Sequence, residues 1–185
     1  MLQTLREGYQ KSQKFQPWWI EIVLMAIIAY VFYYAVKVYP QLPARFPIHF
    51  AANGLADDWT NKSISKVLMI PAVTAVVYTA MTLLSWALYG VKNPRMFINA
   101  PGGVLERMSD ERVMIIHLFG LRMVFWIKVL MVTMLAYLGR ASLDVAIGKI
   151  SRISPLLMGY VILILLVTFG MGFRLMTLIY SKKYR

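Results

Sequence analysis

Four long apolar runs limit this chain to a membrane fold more than any other feature of the sequence does. A bilayer hydrocarbon core of about 30 Å needs roughly 20 apolar helical residues to cross it. Four segments meet that length, at residues 17–38, 67–91, 113–138 and 155–180. Few charges interrupt them, and polar stretches separate them. We therefore predict an all-α integral membrane protein with four transmembrane helices and an ordered loop between the first and the second.

The composition agrees with a lipid environment. Hydrophobic residues make up 59% of the chain and charged residues 15%, against about 45–50% and about 25% in soluble domains. We expect a basic juxtamembrane arm at residues 1–16, followed by a single four-helix membrane domain at residues 17–185 that contains a motif loop at residues 40–66. The sequence has no cysteine, which excludes disulfides and thiolate metal sites.

The formal net charge of +12 does not indicate nucleic-acid binding, because the basic residues form no compact basic domain. They lie beside the apolar runs, as in proteins that are oriented in a bilayer. Ten lysines and arginines flank the spans on the side of the two termini, and seven flank them on the other side. This difference predicts that both termini are cytoplasmic and that the motif loop faces the outside.

The motif loop contains the stretch FPIHFAANGLADDWTNKS at residues 46–63. Pro40, Pro43 and Pro47 fix the backbone and remove amide donors, so we expect extended chain there and no helix. The NGLADD segment is typical of a turn, because asparagine and glycine tolerate positive φ. Trp59 has an apolar body with one polar group and suits a loop that rests on the bilayer surface.

His49 lies near two adjacent aspartates in this loop. An imidazole and carboxylates are acceptable metal ligands, but no second histidine is near, and we expect no metal or other cofactor. We expect instead that His49 hydrogen-bonds a loop carbonyl. The aspartates, Asp57 and Asp58, then cap local backbone or pair with Arg45 or Lys62.

The segment LPARFPIHFAANGLADDWTNK resembles the N-terminal signature of bacterial domain-of-unknown-function family 1648. The positions that match the signature are Leu42, Pro43, Pro47, His49, Gly54, Asp57, Trp59 and Lys62. The family includes SdpI-like immunity proteins, multi-span membrane proteins that protect a cell from its own peptide toxin. The resemblance implies a multi-pass protein of the bacterial cytoplasmic membrane. Our candidate partner-binding residues are Pro43, Pro47, His49, Asn53, Gly54, Asp57, Trp59 and Lys62.

Five ionisable residues fall inside the predicted spans, and such residues mark functional hypotheses because burying them in lipid is costly. They are Glu21, His117, Arg122, Lys128 and Arg174. In one interpretation, Glu21 pairs with Arg122 or Arg174 and the other cations extend to lipid phosphates. In the other, the surplus cations bind an anionic lipid or ligand between helices. Lys128 lies near mid-depth, so we expect it to face the protein interior.

The sequence contains no nucleophile–base pair, phosphate-binding loop or metal-ligand cluster, so we expect no enzyme activity. The leading hypothesis is a non-catalytic membrane protein, related to immunity or signalling, whose motif loop binds a peptide or a membrane-protein partner. The alternative is a small transporter or channel subunit that uses Lys128 and acts as a homo-oligomer or in a larger complex. A third hypothesis, a lipid-modifying enzyme, requires His49 and Asp57 as acid–base partners.

Overall fold

The computed structural model describes residues 16–100 and 103–180. The predicted basic arm therefore lies outside the described residues except for Gln16, as do the last five residues of the chain. The elements in chain order are α1 (Trp18–Val38), a 3-10 turn (Tyr39–Gln41), β1 (Arg45–Phe50), β2 (Ala56–Asn61), α2 (Ile64–Val67), α3 (Met69–Tyr89), a second 3-10 turn (Pro94–Phe97), α4 (Asp110–Ala146) and α5 (Leu156–Tyr180).

Helices α1, α3, α4 and α5 are each long and apolar enough to cross a membrane, which confirms the predicted fold class. Helix α4 differs most from the predicted spans, since it has 37 residues and is about 55 Å long at 1.5 Å per residue. It therefore exceeds the hydrocarbon core by about 25 Å. The sequence prediction ended this helix where charged residues begin, but helical backbone continues past that point.

The carboxyl end of α4 is closed by a Schellman motif. Gly148 has a φ of +75°, and its amide donates to the carbonyl of Val145 at 3.0 Å. The amide of Lys149 donates to the carbonyl of Asp144 at 2.9 Å. These two bonds satisfy carbonyls that the helix leaves without partners at its end, so the extension of α4 finishes in a defined way.

The chain divides into two compact units. Among the described residues, the first contains residues 16–18, 80–100, 103–128 and 165–180, and the second contains residues 19–79 and 129–164. The buried core of the first unit consists of Ile98, Met108, Val113, Ile116, Leu178 and Ile179. The buried core of the second unit consists of Tyr34, Ala35, Val38, Leu42, Phe46, Val67 and Leu143.

The motif loop of the second unit folds into a two-stranded antiparallel hairpin of β1 and β2. The register pairs Phe46 with Thr60 and shifts near the tip. The sequence predicted extended chain and a turn but not strand pairing. Proline inside β1 argues against a strand, and the register shifts break the alternation of apolar and polar side chains that normally reveals one.

The hairpin is attached to the second unit through Phe46, which is 4% exposed. Phe46 shares a buried cluster with residues of α1 and with Leu143 from the extension of α4. The part of α4 that is too long for the hydrocarbon core therefore supplies a packing surface for the hairpin.

Candidate functional site

The base of the hairpin is held by Lys62. Its backbone amide donates to the carbonyl of Ala44 at 2.8 Å, and its ammonium donates to the carbonyl of Leu42 at 2.9 Å. The same ammonium lies 4.8 Å from the centre of the Tyr39 ring, a distance at which cation and ring attract. Lys62 thus fixes the point where the hairpin leaves the helical part of the unit.

The tip of the hairpin is held by a backbone contact with the segment between α4 and α5. The amide of Ile153 donates to the carbonyl of Gly54 at 2.9 Å. Gly54 has a φ of +80°, and a Cβ placed there would lie 2.1 Å from the carbonyl oxygen of Ile153. Only glycine allows this approach, so the two loop segments contact each other in one defined arrangement.

The hairpin also carries exposed side chains, and we call six of them together the exposed hairpin face. They are Ile48, His49, Leu55, Asp57, Asp58 and Trp59. Trp59 is 47% exposed and Leu55 is 48% exposed. Three apolar side chains and two carboxylates are therefore accessible on a hairpin whose base, core contact and tip are all fixed.

His49 contacts a carboxylate rather than the loop carbonyl that we expected. Its Nδ1 lies 2.6 Å from Oδ1 of Asp57, and both side chains are largely exposed, so water and salt weaken the pair. Asp58 caps local backbone, as one of the two predicted alternatives has it, because its Oδ1 accepts the amide of Trp59 at 2.7 Å. Within residues 16–100 and 103–180, no three His, Asp or Glu side chains group as metal ligands.

Three other candidate residues of the loop lie at the tip of the hairpin, inside β1 or just before β1. Asn53 lies in the tip, where its Oδ1 accepts the amide of Leu55 at 3.0 Å. Pro43 is exposed just before β1, whereas Pro47 is buried. The structure therefore gathers His49, Asp57 and Trp59 on the exposed side and uses the other matched positions to shape and hold the hairpin.

The free edges of the hairpin are poor templates for an added strand. The bond from Lys62 to Ala44 and the alternation of an antiparallel ladder direct the backbone groups of Pro47 and Trp59 away from the partner strand. Pro47 has no amide to offer, and the amide of Trp59 is already taken by Asp58. At these two positions, therefore, neither edge offers a free amide to an added strand.

A polar network in the second unit was not predicted from the sequence. The Tyr34 hydroxyl donates to Asp144, and the Lys149 ammonium donates to the Tyr34 oxygen at 3.1 Å. Arg140 lies 3.5 Å from the other carboxylate oxygen of Asp144. The hydrogen bond to Tyr34 raises the pKa of Lys149, and Asp144 adds to the effect. In the sequence, one pattern could have indicated this network, namely the spacing of Arg140 and Asp144, which are four residues apart on a helix.

The ionisable residues of the spans are distributed between the two units. Glu21 lies in the first turn of α1, in the second unit, where the helix dipole favours a carboxylate. His117 lines an apolar cavity of about 790 Å³ in the first unit. Arg122 and Arg174 are exposed residues of the same unit.

Lys128 is 2% exposed, and its interior position agrees with the expectation from its depth. Its ammonium lies 3.4 Å from the Thr82 hydroxyl and 5.7 Å from the centre of the Phe125 ring. A hydroxyl and an aromatic face are reasonable surroundings for a cation that is withdrawn from water.

In the sequence, Arg112 is one of the basic residues that flank the predicted spans. In the structure it is buried, with 6% of its surface exposed. Its guanidinium donates to the carbonyl of Leu178 at 2.9 and 2.8 Å and to that of Ile179 at 3.0 Å. Carbonyls at a helix end need partners, and the need is greatest in lipid. Arg112 therefore caps α5.

The comparisons with known proteins bear on the hairpin. Residues 22–75 match the family model of a domain of unknown function, DUF1648. This range contains most of α1, the whole hairpin and the start of α3, so the similarity covers the candidate partner-binding residues of the loop and none of the five ionisable residues of the spans. No curated protein and no solved structure matches the chain.

Proposed function

We propose that this chain is a non-catalytic membrane protein that binds a peptide or a membrane-protein partner on the exposed hairpin face. One observation carries the proposal. The hairpin is fixed at its base by Lys62, in the core by Phe46 and at its tip by Gly54, and it also presents exposed apolar and acidic side chains.

Such an arrangement favours binding because a fixed surface loses little conformational entropy when a partner docks. Tryptophan is also among the residues that contribute most to binding energy in interfaces. Asp57 and Trp59 are two residues apart on β2 and therefore point to the same side of the strand, which places an apolar anchor beside a charge that can select the partner.

The proposed location is the cytoplasmic membrane of a bacterium, with both termini inside and the hairpin outside. The excess of basic residues on the side of the termini supports this orientation. In that position the hairpin meets peptides that arrive from outside, as an immunity-like or signalling-like role requires. The absence of cysteine makes the orientation easy to measure.

Single cysteines at Asn61 and at Lys92 test the orientation. With a membrane-impermeant maleimide on intact cells, we expect Asn61→Cys to react and Lys92→Cys to react only after permeabilisation. The reverse pattern would place the hairpin in the cytoplasm and contradict the proposed encounter with an external peptide.

A peptide selection tests the binding function. The protein in nanodiscs is presented to a phage-displayed random dodecapeptide library, and the selected peptides are measured against a variant with Ile48, Leu55 and Trp59 changed to serine. We expect at least a tenfold loss of affinity, with normal membrane insertion. The matched control changes Met96 and Phe97 to serine, since both are exposed apolar residues of another loop, and it should bind normally. Equal binding by the hairpin variant, or no selected peptide, would refute the proposal.

A second candidate function is transport of an anion by a homo-oligomer or larger complex, and the burial of Lys128 favours it. Proteoliposomes loaded with chloride or inorganic phosphate give the test. Under this function Lys128→Met abolishes flux, and the serine variant of the hairpin leaves flux unchanged. Absence of flux, or flux that survives Lys128→Met, would reject it.

A further inference from the structure

A small cavity lies between the hairpin tip and the start of α5, within the second unit. Its volume is about 160 Å³, and its walls include Phe50, Ala52, Ile153, Pro155 and Met158. Since a water molecule occupies about 30 Å³ of liquid, the cavity has room for roughly five waters. That space is comparable to one leucine or phenylalanine side chain.

The polar groups around this cavity are engaged in the local structure. Asn53 accepts the amide of Leu55, and the hydroxyl of Ser154 accepts the amide of Leu156 at 3.3 Å. The Gly54 carbonyl accepts the amide of Ile153. The lining is therefore suited to an apolar group, and the Gly54–Ile153 bond keeps the two walls together.

Two exposed carboxylates, Asp57 and Asp58, lie close to the cavity on β2. Ala56 and Asp58 pair with Phe50 and His49 of β1, and Phe50 lines the cavity. They are local exceptions in a chain with a formal net charge of +12. Their charge favours a basic group on whatever docks across the hairpin.

We infer that the tip cavity receives one large apolar side chain of a cationic peptide, and that a lysine or arginine of the same peptide pairs with Asp57 and Asp58. This inference rests on the proposed binding function and adds the chemistry of the partner. The apolar side chain supplies the anchor, and the basic residue fixes the direction of the peptide across the hairpin.

The same dodecapeptide library tests the inference with variants that change the cavity and nothing else on the face. Ala52→Trp fills the cavity from the hairpin side, and Met158→Trp fills it from α5. Asn61→Trp is the matched control, because it adds the same side chain to the hairpin outside the cavity. A fourth variant, Asp57→Asn with Asp58→Asn, removes the two charges.

The expected result has three parts. Selected peptides carry both a large apolar residue and a lysine or arginine. Both cavity-filling variants lower their affinity at least tenfold, whereas Asn61→Trp binds normally. The double asparagine variant binds more weakly, and its binding loses most of its dependence on salt.

Other outcomes overturn the inference, and they separate it from the proposed function. Peptides that bind the cavity-filling variants normally but not the serine variant of the exposed hairpin face would refute the cavity and keep the binding face. Peptides that bind the serine variant normally, or no selected peptide, would refute both. A lipid retained in native mass spectrometry of the purified protein and lost in Ala52→Trp would identify an acyl chain as the occupant and refute a peptide anchor.

Discussion

Gly54 is the residue at which backbone conformation and packing restrict the hairpin most. Its positive φ costs an alanine about 1–2 kcal/mol, and the Cβ of alanine would meet the Ile153 carbonyl oxygen at 2.1 Å. We therefore expect Gly54→Ala to separate the tip from the segment between α4 and α5. Limited trypsin digestion in nanodiscs should cut after Arg45 several times faster than in the wild type.

The control for this substitution is Gly159→Ala. Gly159 lies in α5, and a Cβ there meets no atom within 4 Å among the described residues. The cutting rate after Arg45 should not change. Equal rates for Gly54→Ala and the wild type would show that the contact with Ile153 does not hold the tip.

Lys149 gives the molecule an alkaline pH dependence. Its pKa is raised because its ammonium donates to Tyr34, so this hydrogen bond contributes stability below the unfolded-state pKa of about 10.4 and loses it as the pH rises through the folded-state pKa. We expect Lys149→Met to lower the unfolding temperature at pH 8, and the difference from wild type to shrink as the pH rises beyond about 10.4. A difference that does not shrink on the alkaline side of that pH would contradict the ammonium's role.

At the scale of the element, Phe46 attaches the hairpin to the core, whereas the exposed hairpin face is proposed to bind the partner. Phe46→Ala removes a side chain from the buried cluster and should cost about 3–5 kcal/mol, measured by unfolding in mixed micelles. Trp59→Ala removes a side chain that is 47% exposed and should leave stability nearly unchanged while it weakens the selected peptides. The opposite assignment of effects would mean that Trp59 is part of the packing and that the exposed hairpin face is misidentified.

The cap on α5 is a second property of the element scale. Arg112→Met leaves the carbonyls of Leu178 and Ile179 without their charged donor, which should cost about 1.5–3 kcal/mol in the same unfolding measurement. Arg107→Met is the matched control, because Arg107 is exposed in the preceding loop. If both variants unfold alike, the cap does not stabilise α5.

The helical elements could be predicted from the sequence because a bilayer imposes both length and composition on each span. The extension of α4 could not, since beyond Leu138 the helix carries Arg140 and Asp144 and its apolar run ends. The hairpin strands were obscured by Pro47 and by the shifts in register. These failures share one physical cause, namely that outside lipid the hydropathy of a segment no longer reports its secondary structure.

At the scale of the whole molecule, contacts between distant parts of the chain were beyond prediction. Tyr34 and Asp144 are 110 residues apart, and Gly54 meets Ile153 through backbone atoms, so no side-chain pattern announces either contact. The sequence motif marked the loop as a distinct segment. The structure shows which contacts within the second unit hold that loop in place. Of the residues proposed to bind, His49, Asp57 and Trp59 match the motif, whereas Ile48, Leu55 and Asp58 were added by their exposure in the structure.

Hydrogen–deuterium exchange of the wild-type chain in lipid nanodiscs tests most directly whether the hairpin is one fixed element. We expect slow exchange for the hairpin amides that bond across the strands and for the amide of Ile153. In Gly54→Ala we expect both sets of amides to exchange faster. If residues 45–61 of the wild type exchange at the rate of an unstructured peptide, the hairpin is not a fixed element.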